Sequence, residues 1–189
     1  MLIYVSIVTA CWAAFILYWL ISAATSKRNL SRTFGWAGIV WRLAFMVTVI
    51  ILVRLQVVTP KLMESVALAQ NPLWAPVGAA LCVIGVALAI WARVYLGRNW
   101  GMPMSIKENP ELVVSGPYVW IRNPIYTGML LAMLGSALAV SLLWLAIFVI
   151  SAVYFIYSAK QEEKIMLREF PDTYPAYKAR TKMLIPFIL

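Results

Sequence analysis

The sequence predicts an all-α fold: a polytopic membrane helix bundle of about five transmembrane helices, including a tight hairpin, with a C-terminal helical segment. Three observations predict it. Of the 189 residues, 63% are hydrophobic and 12% are charged, where soluble chains carry roughly a quarter charged residues. The apolar residues fall in runs near 20 residues, the length that crosses a hydrocarbon core of about 30 Å at ~1.5 Å per residue. The basic residues collect at the ends of those runs. A single membrane domain is expected over 1–189, with 1–72 supplying two spans and a loop and 73–189 forming the core.

The first run is Leu2 to Ala24. No basic residue precedes it, and a signal peptide would need one. Lys27, Arg28 and Arg32 follow it, so the N-terminus is expected outside and this loop in the cytoplasm. The second run is about Trp36 to Val58, with Arg42 and Arg54 near its ends, where long side chains snorkel. The next loop is punctuated by Thr59, Pro60, Asn71 and Pro72 and holds only Lys61 and Glu64 as charges. That poverty of positive charge fits an outside loop. The third run, about Leu73 to Leu96, carries Gly78, Ala79, Ala80, Gly85, Ala87 and Ala89. Such small residues let helices approach closely, within the chain or against a partner. Arg93 sits near the inner end of this run.

A polar stretch, Gly97 to Asn123, follows with three prolines and three glycines. It is too long for a simple turn, and loops of that length are usually functional. From Asn123 to Ala159 no residue is charged, over 37 positions. That is too long for one helix and short for two full spans. It predicts a hairpin breaking near Gly135, Ser136 and Ser141. Lys160, Lys164, Arg168, Lys178, Arg180 and Lys182 then place the C-terminal segment in the cytoplasm. The expected location is a bacterial cytoplasmic membrane.

Several functions are disfavoured. The net charge is +9, but the basic residues flank apolar runs, so topology and anionic membrane lipids explain them better than nucleic acid. There is no histidine. This removes Ser-His-Asp and Cys-His mechanisms and the usual zinc sites, and no metal is expected. Cys11 and Cys82 lie inside apolar runs and read as inert buried thiols. All seven acidic residues, Glu64, Glu108, Glu111, Glu162, Glu163, Glu169 and Asp172, lie outside the predicted spans. Proton-coupled transporters usually place carboxylates at mid-membrane.

The polar atoms instead collect in two blocks that a five-pass bundle brings to one face. One runs from Leu96 to Trp100 and on through Ser115 to Gly128. The other is Gln161 to Lys164. A charged cofactor can enter there from the cytoplasm while an apolar substrate arrives sideways from the bilayer. Asn123-Pro124 suits a helix start, as N-cap and first-turn residue, and a helix N-terminus also suits an anion. Glu162 and Glu163 lie about 100° apart on a helix, so they cannot face one cleft equally. Their plain reading is a solvated face paired with Lys164 and Arg168. Tyr118 and Tyr126 fit an interfacial belt as well as a site.

Leu96-Gly97-Arg98-Asn99-Trp100 comes first. Ser-Gly-Pro-Tyr-x-x-x-Arg-Asn-Pro-x-Tyr-x-Gly follows over 115–128, then the apolar hairpin and Glu162-Glu163. Glu-Phe-x-x-x-Tyr-x-x-Tyr-x-x-Arg over 169–180 comes last. In this order the motifs resemble the isoprenylcysteine carboxyl methyltransferase family, which is similar in turn to membrane phospholipid methyltransferases. The resemblance covers about Arg93 to Leu189. It implies S-adenosyl-L-methionine as cofactor, held by Leu112, Val113, Tyr118, Asn123, Pro124, Ile125 and Tyr126 with Glu162 and Glu163. It implies Arg122 and Glu162 as the catalytic pair and Arg98, Asn99 and Trp100 on the substrate side. Two positions depart from the family: Asn123 replaces its usual histidine, and Ser158 stands where prenylcysteine methylators carry arginine.

The expected function is an integral membrane methyltransferase for a lipophilic acceptor, such as an isoprenoid or prenylcysteine-like carboxylate or another small lipid. A phospholipid N-methyltransferase is one alternative. A non-catalytic carrier or complex subunit is another. A carboxylate acceptor needs no base, whereas an amine must lose a proton, which Glu162 or Glu163 can accept.

Overall fold

The computed structural model describes residues 2–23, 29–32, 73–100, 105–107, 110–141 and 143–185. Five α-helices stand among them: α1 (Leu2–Ala23), α2 (Trp74–Leu96), α3 (Pro124–Ala139), α4 (Leu143–Glu169) and α5 (Tyr174–Arg180). α1, α2 and α4 each contain a stretch long and apolar enough to span a membrane, with mean hydropathy of 1.9, 2.2 and 1.8. The expected span at 36–58 and the loop after it lie outside the described residues. A short antiparallel ladder, β1 (Asn29–Arg32) with β2 (Ser105–Lys107), adds to the helical fold. The sequence reading did not anticipate it.

The small residues of the third run pack inside the chain. α2 and α3 run antiparallel, so Gly78 meets the Gly135–Ala139 turn and Gly85 meets the Gly128–Ala132 turn. A Cβ on Gly78 would sit 2.6 Å from the Ala139 amide nitrogen, and one on Gly128 2.7 Å from that of Ala89. Backbone cannot yield as a side chain does. Gly85→Val is therefore expected to cost about 3 kcal/mol or more by prising α2 from α3. Ala80→Val, on an exposed face of the same helix, is expected to change little. Thermal unfolding of the two variants in detergent checks this.

The same packing moves the hairpin turn. α3 continues through Gly135 and Ser136 and ends at Ala139, and the chain turns at Val140–Ser141. Gly135 serves contact with Cys82 and Gly78, not chain reversal. Ser136 returns its hydroxyl to the Ala132 carbonyl at 2.8 Å and so stays helical. At 16 residues, α3 is about 24 Å long, short of a ~30 Å core. α4 is 27 residues long and carries the acidic pair beyond its apolar part without a break.

α1 packs on α2 and α3 through Val8, Phe15 and Trp19, and the Trp12 indole donates to Ser136 Oγ at 3.0 Å. At the other end of the bundle α2 stops at Gly97, whose φ of 53° is left-handed and suits glycine. Gly116 also has positive φ, 59°, and a Cβ there would strike the Tyr95 ring. It lets the 116–119 turn lie flat against α2.

Candidate active site

The C-terminal segment is stitched to the start of α3. Ile121 bridges Lys182 in parallel. The Arg122 and Asn123 amides donate to the Lys182 and Met183 carbonyls at 2.8 and 3.2 Å, and the Thr127 hydroxyl donates to the Leu184 carbonyl at 2.6 Å. Asn123 occupies the N-cap position but does not cap with its side chain. Its amide donates instead to the Met183 carbonyl at 3.0 Å, a role a neutral Asn can fill. Tyr177 adds a bond from its hydroxyl to the Tyr118 carbonyl at 2.8 Å.

Arg122 is the centre of this stitching. Its Nε and Nη2 both donate to Glu163 Oε1, at 2.8 and 2.6 Å. Its Nη1 donates to the carbonyls of Lys178 and Thr181. Lys178 Nζ takes the other Glu163 oxygen at 2.6 Å. The ion pair is largely withdrawn from solvent, with Arg122 and Glu163 side chains 9% and 11% exposed. One guanidinium thus ties α4, α5 and the entry to α3 together.

Beside this brace a cavity of about 360 Å³ opens between α1, α2, α3 and α4, within the size range of small-ligand sites. Leu112, Val113, Tyr118, Arg122, Asn123, Ile125, Tyr126, Glu162 and Glu163 all line it, as do Asn99 and Trp100. Two residues named from the sequence lie elsewhere. Pro124 is fully buried behind the wall, and Arg98 is exposed outside the lining. The acidic pair divides as the helix angle requires. Glu163 belongs to the brace, whereas Glu162 Oε1 accepts the Tyr126 hydroxyl at 2.7 Å. The Tyr126 ring stacks on Phe155 with centroids 4.6 Å apart and planes 6° from parallel.

The sequence reading missed much of the apolar wall: Trp19 from α1, Met129, Phe155 and Met166; it quoted Leu96 only within a motif. It quoted Tyr174 and Tyr177 only as part of a motif, and both line the cavity. Phe155 lies seven residues before Glu162, two turns along the same helical face, a spacing that could have marked it. Burial pushes the Tyr118 and Tyr174 phenols upward and Tyr177 to about 12. A folded value above the ordinary ~10 means that the neutral phenol stabilises the fold. That contribution is complete below about pH 10 and is lost as pH rises through about 12, so the thermal midpoint is expected to fall in that window.

Ser158 is wholly buried, and its hydroxyl has no hydrogen-bond partner among the described residues. Ser158→Ala is expected to leave stability unchanged or raise it by about 1 kcal/mol, as thermal unfolding would register.

Apolar helices long enough to span a membrane, around a cavity of aromatic rings and carboxylates, define an integral membrane protein with a candidate site at one end of the bundle. The family model for phospholipid methyltransferase matches residues 74–173, from the start of α2 to the loop before α5. The chain belongs to the phospholipid methyltransferase family. Its fold is similar to that of the eukaryotic intramembrane Ras methyltransferase ICMT (isoprenylcysteine carboxyl methyltransferase). The TM-score is 0.64 at 22% identity, covering 98% of this chain and 65% of that one. Among curated proteins it is 29% identical over 113 residues to the nickel-cobalt-cadmium resistance protein NccN of Alcaligenes xylosoxydans xylosoxydans. It is 32% identical over 114 residues to the cobalt-zinc-cadmium resistance protein CzcN of Cupriavidus metallidurans. These matches cover 58% and 59% of this chain. The chain spans about half the length of both curated relatives, 52% and 50%.

Proposed function

We propose that the chain is an S-adenosylmethionine-dependent methyltransferase acting on a lipophilic acceptor at the cytoplasmic membrane face. The observation that carries this reading is the Tyr126–Glu162 pair set in an aromatic cavity, inside the segment that the methyltransferase family matches. The cofactor offers a methyl group on a positively charged sulfur and leaves as the neutral thioether. The residues present fit such a group. Glu162 supplies negative charge, which favours a neighbouring cation. Tyr118, Tyr126 and Phe155 give flat surfaces that exclude water, and orientation with desolvation supplies most of what methyl transfer needs.

The charges favour an amine acceptor over a carboxylate. Of the described lining residues Glu111, Glu162, Glu163 and Glu169 are acidic, and only Arg122 is basic. Arg122 already spends its guanidinium on Glu163 and two carbonyls. Ser158 supplies no replacement cation. An acidic cleft would repel an acid, whereas it attracts an ammonium, and Glu162 is placed to take the proton that a nucleophilic amine must lose. Radiolabelled methyl transfer to dodecylamine and to dodecanoic acid, matched in tail, tests this. Label in the amine alone is expected. Label in the acid alone would reverse the acceptor class, and label in neither would count against simple single-chain acceptors of both kinds.

A further inference from the structure

Arg93 is charged, lies in an apolar spanning helix and is only 2% exposed. An ionisable residue so placed needs a reason, because snorkelling would have been the cheaper solution. Its guanidinium turns inward. Nη2 donates to the Ser22 carbonyl in the last turns of α1 at 2.7 Å. Nη1 donates to the Gly97 carbonyl at 2.6 Å, where α2 ends. The guanidinium carbon stands 4.7 Å from the centre of the Trp100 ring, a cation–π distance. Trp100 in turn meets Trp19 of α1 edge to face, with centroids 6.0 Å apart. Both rings line the cavity, in one apolar cluster with Leu96 and Met129.

α1 lies outside the family-matched residues 74–173, yet it contributes Trp19 to the cavity. Side-chain hydrogen bonds between α1 and other described helices include Trp12 to Ser136 and Arg93 to Ser22. The second lies beside the Trp100 ring of the cavity wall. We propose that Arg93 is a positioning residue: it clamps α1 onto the end of α2 and holds the Trp19–Trp100 wall against the apolar part of the acceptor. This rests on the methyltransferase reading of the cavity. A lysine can keep charge over Trp100 but cannot reach Ser22 and Gly97 together in one planar fork.

The test uses the full chain in detergent, with Arg93→Met and Arg93→Lys beside the wild type. Three quantities are read: amide exchange over residues 18–22, S-adenosylhomocysteine affinity, and kcat and KM for dodecylamine. The expectation for Arg93→Met is faster exchange at 18–22 with α3 still protected. Its S-adenosylhomocysteine affinity should stay within about 2-fold while KM for dodecylamine rises roughly 10-fold at nearly constant kcat. Arg93→Lys should recover part of the KM and less of the protection. Unchanged exchange or unchanged KM in Arg93→Met would overturn the proposal. So would a parallel loss of S-adenosylhomocysteine affinity, which marks a merely structural residue. If the wild type binds S-adenosylhomocysteine but leaves dodecylamine unmethylated, the acceptor reading fails separately. The clamp is then decided by exchange at 18–22 in Arg93→Met: faster exchange sustains it, unchanged exchange overturns it.

Discussion

Glu162→Ala is expected to bind S-adenosylhomocysteine about 100-fold more weakly than the wild type while unfolding at nearly the same temperature. Glu162 sits on α4 with its carboxylate on the cavity and the Tyr126 hydroxyl bonded to it at 2.7 Å. Losing a carboxylate that meets the amino-acid ammonium group, which S-adenosylhomocysteine keeps, in a partly desolvated site costs about 2–5 kcal/mol of binding, and about 2.7 kcal/mol is 100-fold. Stability is expected to hold because the remaining Tyr126 hydroxyl faces the cavity, where water can replace the lost acceptor. Glu162→Gln separates charge from hydrogen bonding: it keeps an acceptor for Tyr126 and loses only the negative charge. Calorimetric titration of the three proteins measures the effect. Equal affinities across all three would show that the carboxylate does not face the ligand.

Arg122→Ala is expected to do the opposite, lowering stability by about 3 kcal/mol or more. Glu163, only 11% exposed in the intact pair, would lose its two guanidinium donors and keep Lys178 as its ion-pair partner. The carbonyls of Lys178 and Thr181 would lose their guanidinium donor. The parallel pairing of Ile121 with Lys182 would lose its neighbouring anchor. Removing one member of a buried ion pair strands the other, which is why the cost exceeds that of a surface pair. Arg122→Lys should restore little, because an ammonium cannot bond Glu163 and both carbonyls at once. Thermal unfolding with proteolysis of the 174–185 segment would report it. A loss of S-adenosylhomocysteine affinity without loss of stability would instead make Arg122 a ligand contact.

The long apolar helices α1, α2 and α4 and the polar blocks were legible because each rests on a local signal. Hydropathy over about 20 residues marks a membrane helix whatever its neighbours do. The motif residues Tyr118, Arg122, Tyr126 and Glu162 were visible as a pattern, and their meeting followed from two blocks reaching the same face. Other features were not local. Gly135 and Ser136 looked like a turn, and only the approach of α2 shows that the glycine serves helix contact. Trp19 carries no signal at all inside an apolar run, and its place in the wall depends on how α1 crosses α2. The solvated-face reading of Glu163 gave way to a pair with a residue 41 positions away. Arg98, expected on the substrate side, is exposed and off the cavity, while the inward turn of Arg93 could not be read from its position near a helix end.

The central claim is methyl transfer from S-adenosylmethionine to a lipid-soluble acceptor in this cavity. The most direct measurement reconstitutes the purified wild type and Glu162→Ala in liposomes of total bacterial lipid with radiolabelled S-adenosylmethionine, then follows label into the organic phase. Time-dependent label with the wild type, reduced at least tenfold by Glu162→Ala, is the result this account predicts. Label confined to the aqueous phase, from a wild type shown to be folded and to bind S-adenosylhomocysteine, would contradict it.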